Sequence, residues 1–145
     1  MGTIRRAHVV WEGTLASGSG KVGAASQAFK ELPVSWTARS ENPDNQTSPE
    51  EMLAAAHATC FAMALSAELA KMHLEPEKLE VDAEVAFEKL EEGWRVTTSH
   101  LSVRGKVPGA DADRFVKAAE AAKEGCPISL ALRGNVKIAL EAALE

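Results

Sequence analysis

The sequence is poor in the residues from which a metal centre or a disulfide framework is built. It carries two cysteines and four histidines in 145 residues, and no CxxC. Cys60, Cys126, His57 and His73 reproduce no zinc-ligand spacing, so no metal is expected. Surplus positive charge is also missing. A formal net charge of -5 argues against nucleic acid or an acidic membrane surface as the main partner. No apolar run follows Arg5 and Arg6, so the amino terminus reads as no signal peptide. The stretch Gly18-Ser19-Gly20-Lys21-Val22 resembles a phosphate loop, but it lacks the earlier glycine and the hydroxyl residue after lysine. No internal repeat and no disordered linker interrupts the chain, and no cofactor is implied.

Only one long apolar run is present, Met52 to Ala70. It is rich in alanine and includes His57, Thr59, Ser66 and Glu68, so it reads as a soluble core helix, not a membrane span. Two cysteines 66 residues apart without an export signal point to a reducing cytoplasm. There a disulfide, when it forms, is usually transient and catalytic or redox-sensing.

What is there reads as a single domain over residues 1–145. Residues 1–40 read as strands: Ile4–Trp11, Val22–Ser26, and the VSWTAR segment, in which Val34, Trp36 and Ala38 share a face. The ENPDNQTS segment is a surface turn. Ser48 then fits a helix N-cap, Pro49 the first helical position and Glu51 a capping box, which predicts a central helix over about 49–72. That helix is apolar all round and needs cover from its own sheet or from a partner subunit. Residues 79–145 read as strands and helices. Val81, Ala83, Val85 and Phe87 alternate inward and enter a hairpin through EEGWR. Asp111 caps a helix that ends at Gly125, Cys126-Pro127 opens a short helical turn, and Val136, Ile138 and Leu140 share a face of a last strand. The fold class is α+β, antiparallel sheets packed on a long central helix.

The two cysteines have different settings. Cys60 sits in mid-helix, far from the positive end of the dipole, and taken alone reads as packing more readily than as chemistry. His57, one turn earlier, is either a satisfied half-buried imidazole or a hydrogen-bond donor to the thiol. Cys126 lies between a helix-ending glycine and a proline, where free N–H groups stabilise a thiolate. It suits a resolving thiol, the alternative being a cap alone.

The segments SPEEMLAAAHATCFAMALS and EGCPIS together resemble the OsmC/Ohr family of osmotically inducible and organic-hydroperoxide-resistance proteins. Ala56-His57, in place of a glycine-tyrosine pair, is similar to the OsmC branch, and the resemblance runs from the VVWEG segment to the final KIAL segment. It implies an OsmC-like fold in an intertwined homodimer that acts as a thiol-dependent peroxidase toward organic hydroperoxides. By position, Cys60 corresponds to the peroxidatic cysteine, Cys126 to the resolving cysteine that forms a disulfide with it, and Arg39 and Glu50 to a charged active-site pair. The implied reductant is a dithiol, such as a lipoyl-bearing protein.

Physical chemistry adds three expectations. Arg39 supplies the positive charge a Cys60 thiolate needs, with Glu50 holding the guanidinium by a bidentate contact. Glu50 and Cys60 are ten helical residues apart, about 15 Å of rise, so Glu50 at least should come from the other subunit; the subunit of origin of Arg39 stays open. Met52, Leu53, Ala56, Phe61 and Met63 are expected to line an apolar pocket that favours alkyl, aryl or fatty-acyl hydroperoxides over hydrogen peroxide. A redox-sensing thiol switch and an apolar-ligand binding module are the alternatives.

Overall fold

A computed structural model describes residues 1–145 and resolves the chain into two units, Met1–Met52 and Leu53–Glu145. The first is built on an antiparallel sheet of β1 (Ala7–Glu12), β2 (Ser19–Ala24) and β3 (Leu32–Val34), with β2 central. Val9 pairs with Val22 and Trp11 with Gly20. Gly20 is required there, since a Cβ would come within 2.9 Å of the Trp11 ring. Val22 is buried, whereas every residue of β1 is exposed, including Val9, Val10 and Trp11.

The third strand is shorter than expected, because the chain turns helical at Trp36. Ser35 has an extended backbone, and its Oγ accepts from the Ala38 N–H at 3.1 Å, capping a short helix α1 (Trp36–Ser40). The alternation of Val34, Trp36 and Ala38 has the strand period, but the serine cap starts a helix instead. Arg39 therefore lies on α1 and not at the end of a strand. The following turn places Asp44 and Asn45 at positive φ, as short polar side chains allow. The Thr47 N–H ties the loop back to the Pro33 carbonyl at 3.0 Å. The Ser48 Oγ then accepts from the Glu51 N–H at 3.1 Å at the head of α2 (Pro49–Lys71).

Helix α2 ends one residue earlier than the sequence suggests, in a left-handed turn. His73 takes φ +59°, its N–H bonds the Ala70 carbonyl, and the Leu74 N–H bonds the Leu69 carbonyl. This is a Schellman closure in which Leu69 and Leu74 both enter the core.

In the second unit β4 (Lys78–Leu90) and β5 (Gly93–Lys106) form the expected hairpin, with a bulge at Ala86/Phe87. Phe87 and Trp94 stack across it, ring centroids 4.7 Å apart. Helix α3 (Ala112–Gly125) starts at Asp111, whose Oδ1 accepts from the Arg114 N–H at 2.8 Å. It buries Phe115, Ala118, Ala119 and Ala122, one face of a 3.6-residue period. Helix α4 (Pro127–Leu132) follows, then β6 (Lys137–Leu144). Strand β6 pairs parallel to β5, with Leu101 opposite Leu140, so only part of the sheet is antiparallel. The physical reason is the connection: α3 and α4 make a crossover long enough to return the chain in the same direction.

The core of this unit joins Phe61, Leu65 and Leu69 of α2 with Leu101, Val103 and Phe115. Gly105 sits under Phe115, where a Cβ would lie 2.4 Å from Cε2. Gly105→Ala should cost about 1–3 kcal/mol, read as a lower denaturation midpoint. Gly125→Ala, where nothing lies within 4 Å of an added Cβ, should leave the midpoint near its native value.

Candidate functional site: a paired thiol beside a buried histidine

Helix α2 buries His57, Phe61, Leu65 and Leu69 completely, an i, i+4 ridge along one side. Cys60 flanks the ridge and is half-buried, while Cys126 is fully buried at the junction of α3 and α4. Both are free thiols, and they share a hydrogen bond. The residues placed 66 positions apart in sequence are therefore neighbours in the fold. The packing of α4 on α2 is what joins them.

The environment of Cys60 pushes its thiol pKa up. Burial is the main cause and the hydrogen bond that the Cys60 thiol donates to Cys126 adds to it, while the Ile128 backbone N–H donates to the sulfur and works the other way. Here the structure corrects the sequence expectation about Cys126. Its own N–H closes α3 on the Ala122 carbonyl at 2.8 Å, and its side chain caps nothing. The donor at the start of α4 serves Cys60 instead.

His57 does not donate to Cys60. Its Nδ1 is hydrogen-bonded to the Ser99 Oγ on β5 at 2.7 Å and its Nε2 to the Ser129 Oγ on α4 at 2.8 Å. The imidazole and both hydroxyls are at most 1% exposed, so the three groups satisfy one another away from water. Burial holds the His57 pKa below its ordinary value, and the neutral ring, one nitrogen donating and one accepting, matches two hydroxyl partners. The sequence flagged His57 as a satisfied imidazole but gave no sign of Ser99 or Ser129. A lone serine on a strand and another three residues beyond a cysteine carry no pattern of their own.

The charged pair lies in the first unit. Arg39 donates from Nε to both Glu50 oxygens, at 3.1 and 3.2 Å, and from Nη2 to Oε1 at 2.8 Å. Glu50, in the first turn of α2, is almost fully buried, and the Arg39 side chain remains 32% exposed. The guanidinium also lies 6.0 Å from the Trp36 ring centroid, one turn back on α1. Helix and loop thus hold a fixed, partly exposed cation. The bidentate contact expected from sequence is present.

The apolar lining expected around Cys60 is only partly available. Phe61 is a core residue and lines no surface, whereas Ala56 is exposed and Met63 is 69% exposed on α2. A concavity of about 1050 Å³ lies elsewhere, bordered by first-unit residues such as Val10, Lys21, Phe29 and Pro33. It includes neither cysteine nor the ion pair.

Comparison with known proteins places these features in a family. Residues 40–141 match the family model described as OsmC-like protein, a span that includes Glu50, His57, Cys60 and Cys126 and begins one residue after Arg39. The chain is 35% identical to peroxiredoxin OsmC of Escherichia coli over 128 residues, covering 88% of this chain and 89% of that one. It is 32% identical over 98 residues to an organic hydroperoxide resistance protein of Xanthomonas axonopodis, covering 67% of each. Among solved structures, the organic hydroperoxide resistance protein OhrB of Bacillus subtilis superposes with a TM-score of 0.75 at 27% identity, over 94% of this chain and 97% of that chain. With a family match over most of its length and two cysteines brought together by an OsmC-like fold, this chain belongs to the OsmC-like protein family.

Proposed function

We propose that this protein reduces organic hydroperoxides to alcohols through Cys60 and Cys126. The observation that carries the reading is the pairing of the two thiols, with the Ile128 N–H on the Cys60 sulfur. The names of its relatives, peroxiredoxin and organic hydroperoxide resistance protein, support the same chemistry. Cys60 as thiolate attacks the terminal peroxide oxygen, the O–O bond breaks, and the alkoxide leaves and takes up a proton as the alcohol. Cys60 is now a sulfenic acid. The Cys126 sulfur attacks it, water leaves, and a Cys60–Cys126 disulfide forms. A dithiol, in the family a lipoyl-bearing protein, reopens the disulfide by exchange and is itself oxidised to a disulfide. A cycle that returns to two thiols suits a reducing compartment such as the cytoplasm.

Burial raises the Cys60 pKa in its own unit, so the reaction needs a cation. Arg39, clamped by Glu50, is the residue proposed to supply it, lowering the thiolate pKa and then facing the developing alkoxide. The axial spacing of Glu50 from Cys60 supports a reading in which the ion pair of one subunit serves the Cys60 of another, in a homodimer. Support for a dimer comes from each unit separately. Only 22% of the apolar window of α2 is buried within the chain, and β1 leaves Val9, Val10 and Trp11 exposed. A second copy covering these surfaces would also turn the exposed Ala56 and Met63 into an apolar substrate wall.

With a dithiol in excess, steady-state assays should show sustained turnover of cumene and tert-butyl hydroperoxide, at higher kcat/KM than for hydrogen peroxide. Cys60→Ser should abolish turnover, and Cys126→Ser should collapse it after one equivalent. Turnover that stops at one equivalent in the native protein would instead identify a redox switch. Arg39→Gln should lower the rate of Cys60 oxidation at pH 7 by about tenfold or more. Its rate should recover as pH rises, because the thiolate then forms without the cation; a pH-independent loss would remove Arg39 from the role.

A further inference from the structure

The buried His57 bridge runs parallel to the pair of sulfurs. His57 and Cys60 are three residues apart on α2, and Ser129 and Cys126 are three residues apart at the start of α4. One helical turn along, the same two elements are therefore joined twice, once by His57 and Ser129 and once by Cys60 and Cys126. Ser99 on β5 fixes the imidazole from the other side. Ile128 packs α4 on the core and Arg133 ties its end to Glu124, but the Ser129–His57 bond is the one hydrogen bond from an α4 side chain to α2. The N-cap of α4 has no side-chain hydrogen bond, and Leu130 is 49% exposed.

From this geometry we infer that His57 is a positioning residue for the resolving step, a latch that holds the α4 turn against α2 through Ser129 so that Cys126 stays within bonding reach of Cys60. A disulfide requires the two Cβ atoms within about 3.5–4.5 Å. A turn free to move by an ångström or two leaves the sulfenic acid waiting for its partner. A waiting sulfenic acid meets a second hydroperoxide, which inserts another oxygen to give the sulfinic acid and one more alcohol. The latch thus selects reversible over irreversible oxidation. It touches neither the hydroperoxide nor the reacting sulfurs.

The inference rests on the reading of Cys60 and Cys126 as a working pair, and a measurement without hydroperoxide keeps the two separable. In glutathione buffers the two thiols and one glutathione disulfide exchange to the Cys60–Cys126 disulfide and two glutathione thiols, and trapping with mass spectrometry gives the equilibrium. His57→Gln places an amide near the Nε2 position and keeps the Ser129 contact. His57→Asn places one near Nδ1 and keeps only Ser99, and Ser129→Ala removes the α4 contact with the smallest change. Ser129→Ala and His57→Asn should lower the equilibrium constant for the disulfide by about tenfold, with His57→Gln close to native. With organic hydroperoxide, the same two variants should oxidise Cys60 at the native rate but accumulate sulfinic acid. Equal effects of Asn and Gln, or a native equilibrium in Ser129→Ala, would overturn the latch. A native protein that pairs its thiols in glutathione yet ignores hydroperoxide would overturn the peroxidase reading and leave the latch standing.

Discussion

His57, Phe61, Leu65 and Leu69 form the one ridge of α2 that its own unit buries completely, and the placement of both sulfurs depends on that packing. A ridge at i, i+4 spacing fixes the rotation of the helix about its axis. With rotation fixed, Cys60 on the flank of the ridge can face only what packs beside Phe61. The crossover between β5 and β6 brings α3 and α4 there, and with them Cys126. The apolar core is therefore the device that assembles the thiol pair. The polar His57 is set into it because hydroxyls from β5 and α4 satisfy both ring nitrogens.

Electrostatics and packing pull Cys60 in opposite directions. Burial in a core keeps the sulfur close to its partner and raises its pKa, which is the wrong direction for a nucleophile. The Ile128 N–H offsets part of that cost. The remaining correction is the role proposed for the Arg39 guanidinium. A guanidinium fastened by two of its nitrogens to one buried carboxylate cannot rotate away, and its side chain stays partly exposed. A lysine at position 39 would carry the same charge without the fork that fixes it.

Much of this is legible in the sequence of the chain. The SPEE start of α2, the Asp111 cap and the β4–β5 hairpin each rest on a local rule with a physical cause, and each stands where the sequence put it. The misreadings are equally physical. VSWTAR alternates at the strand period, and the hydroxyl of Ser35 overrides it by capping a helix. The parallel β6 was readable from the length of the α3–α4 crossover, which a hairpin would not need. The reversal at Cys126, whose helix-start donor serves the other sulfur, was not readable. It depends on how two helices pack and not on either segment alone. Ser99 and Ser129 were invisible for the same reason, because a buried serine is defined by its partner.

The pairing of Cys60 with Cys126 as one redox unit is tested most directly by stoichiometry. Fully reduced protein is titrated with cumene hydroperoxide, remaining thiols are alkylated, and the oxidised peptides are mapped. Two thiols should disappear for each hydroperoxide consumed, and the product should be a disulfide joining Cys60 and Cys126 within one chain. Loss of a single thiol per hydroperoxide, or a disulfide joining Cys60 to another chain, would contradict it.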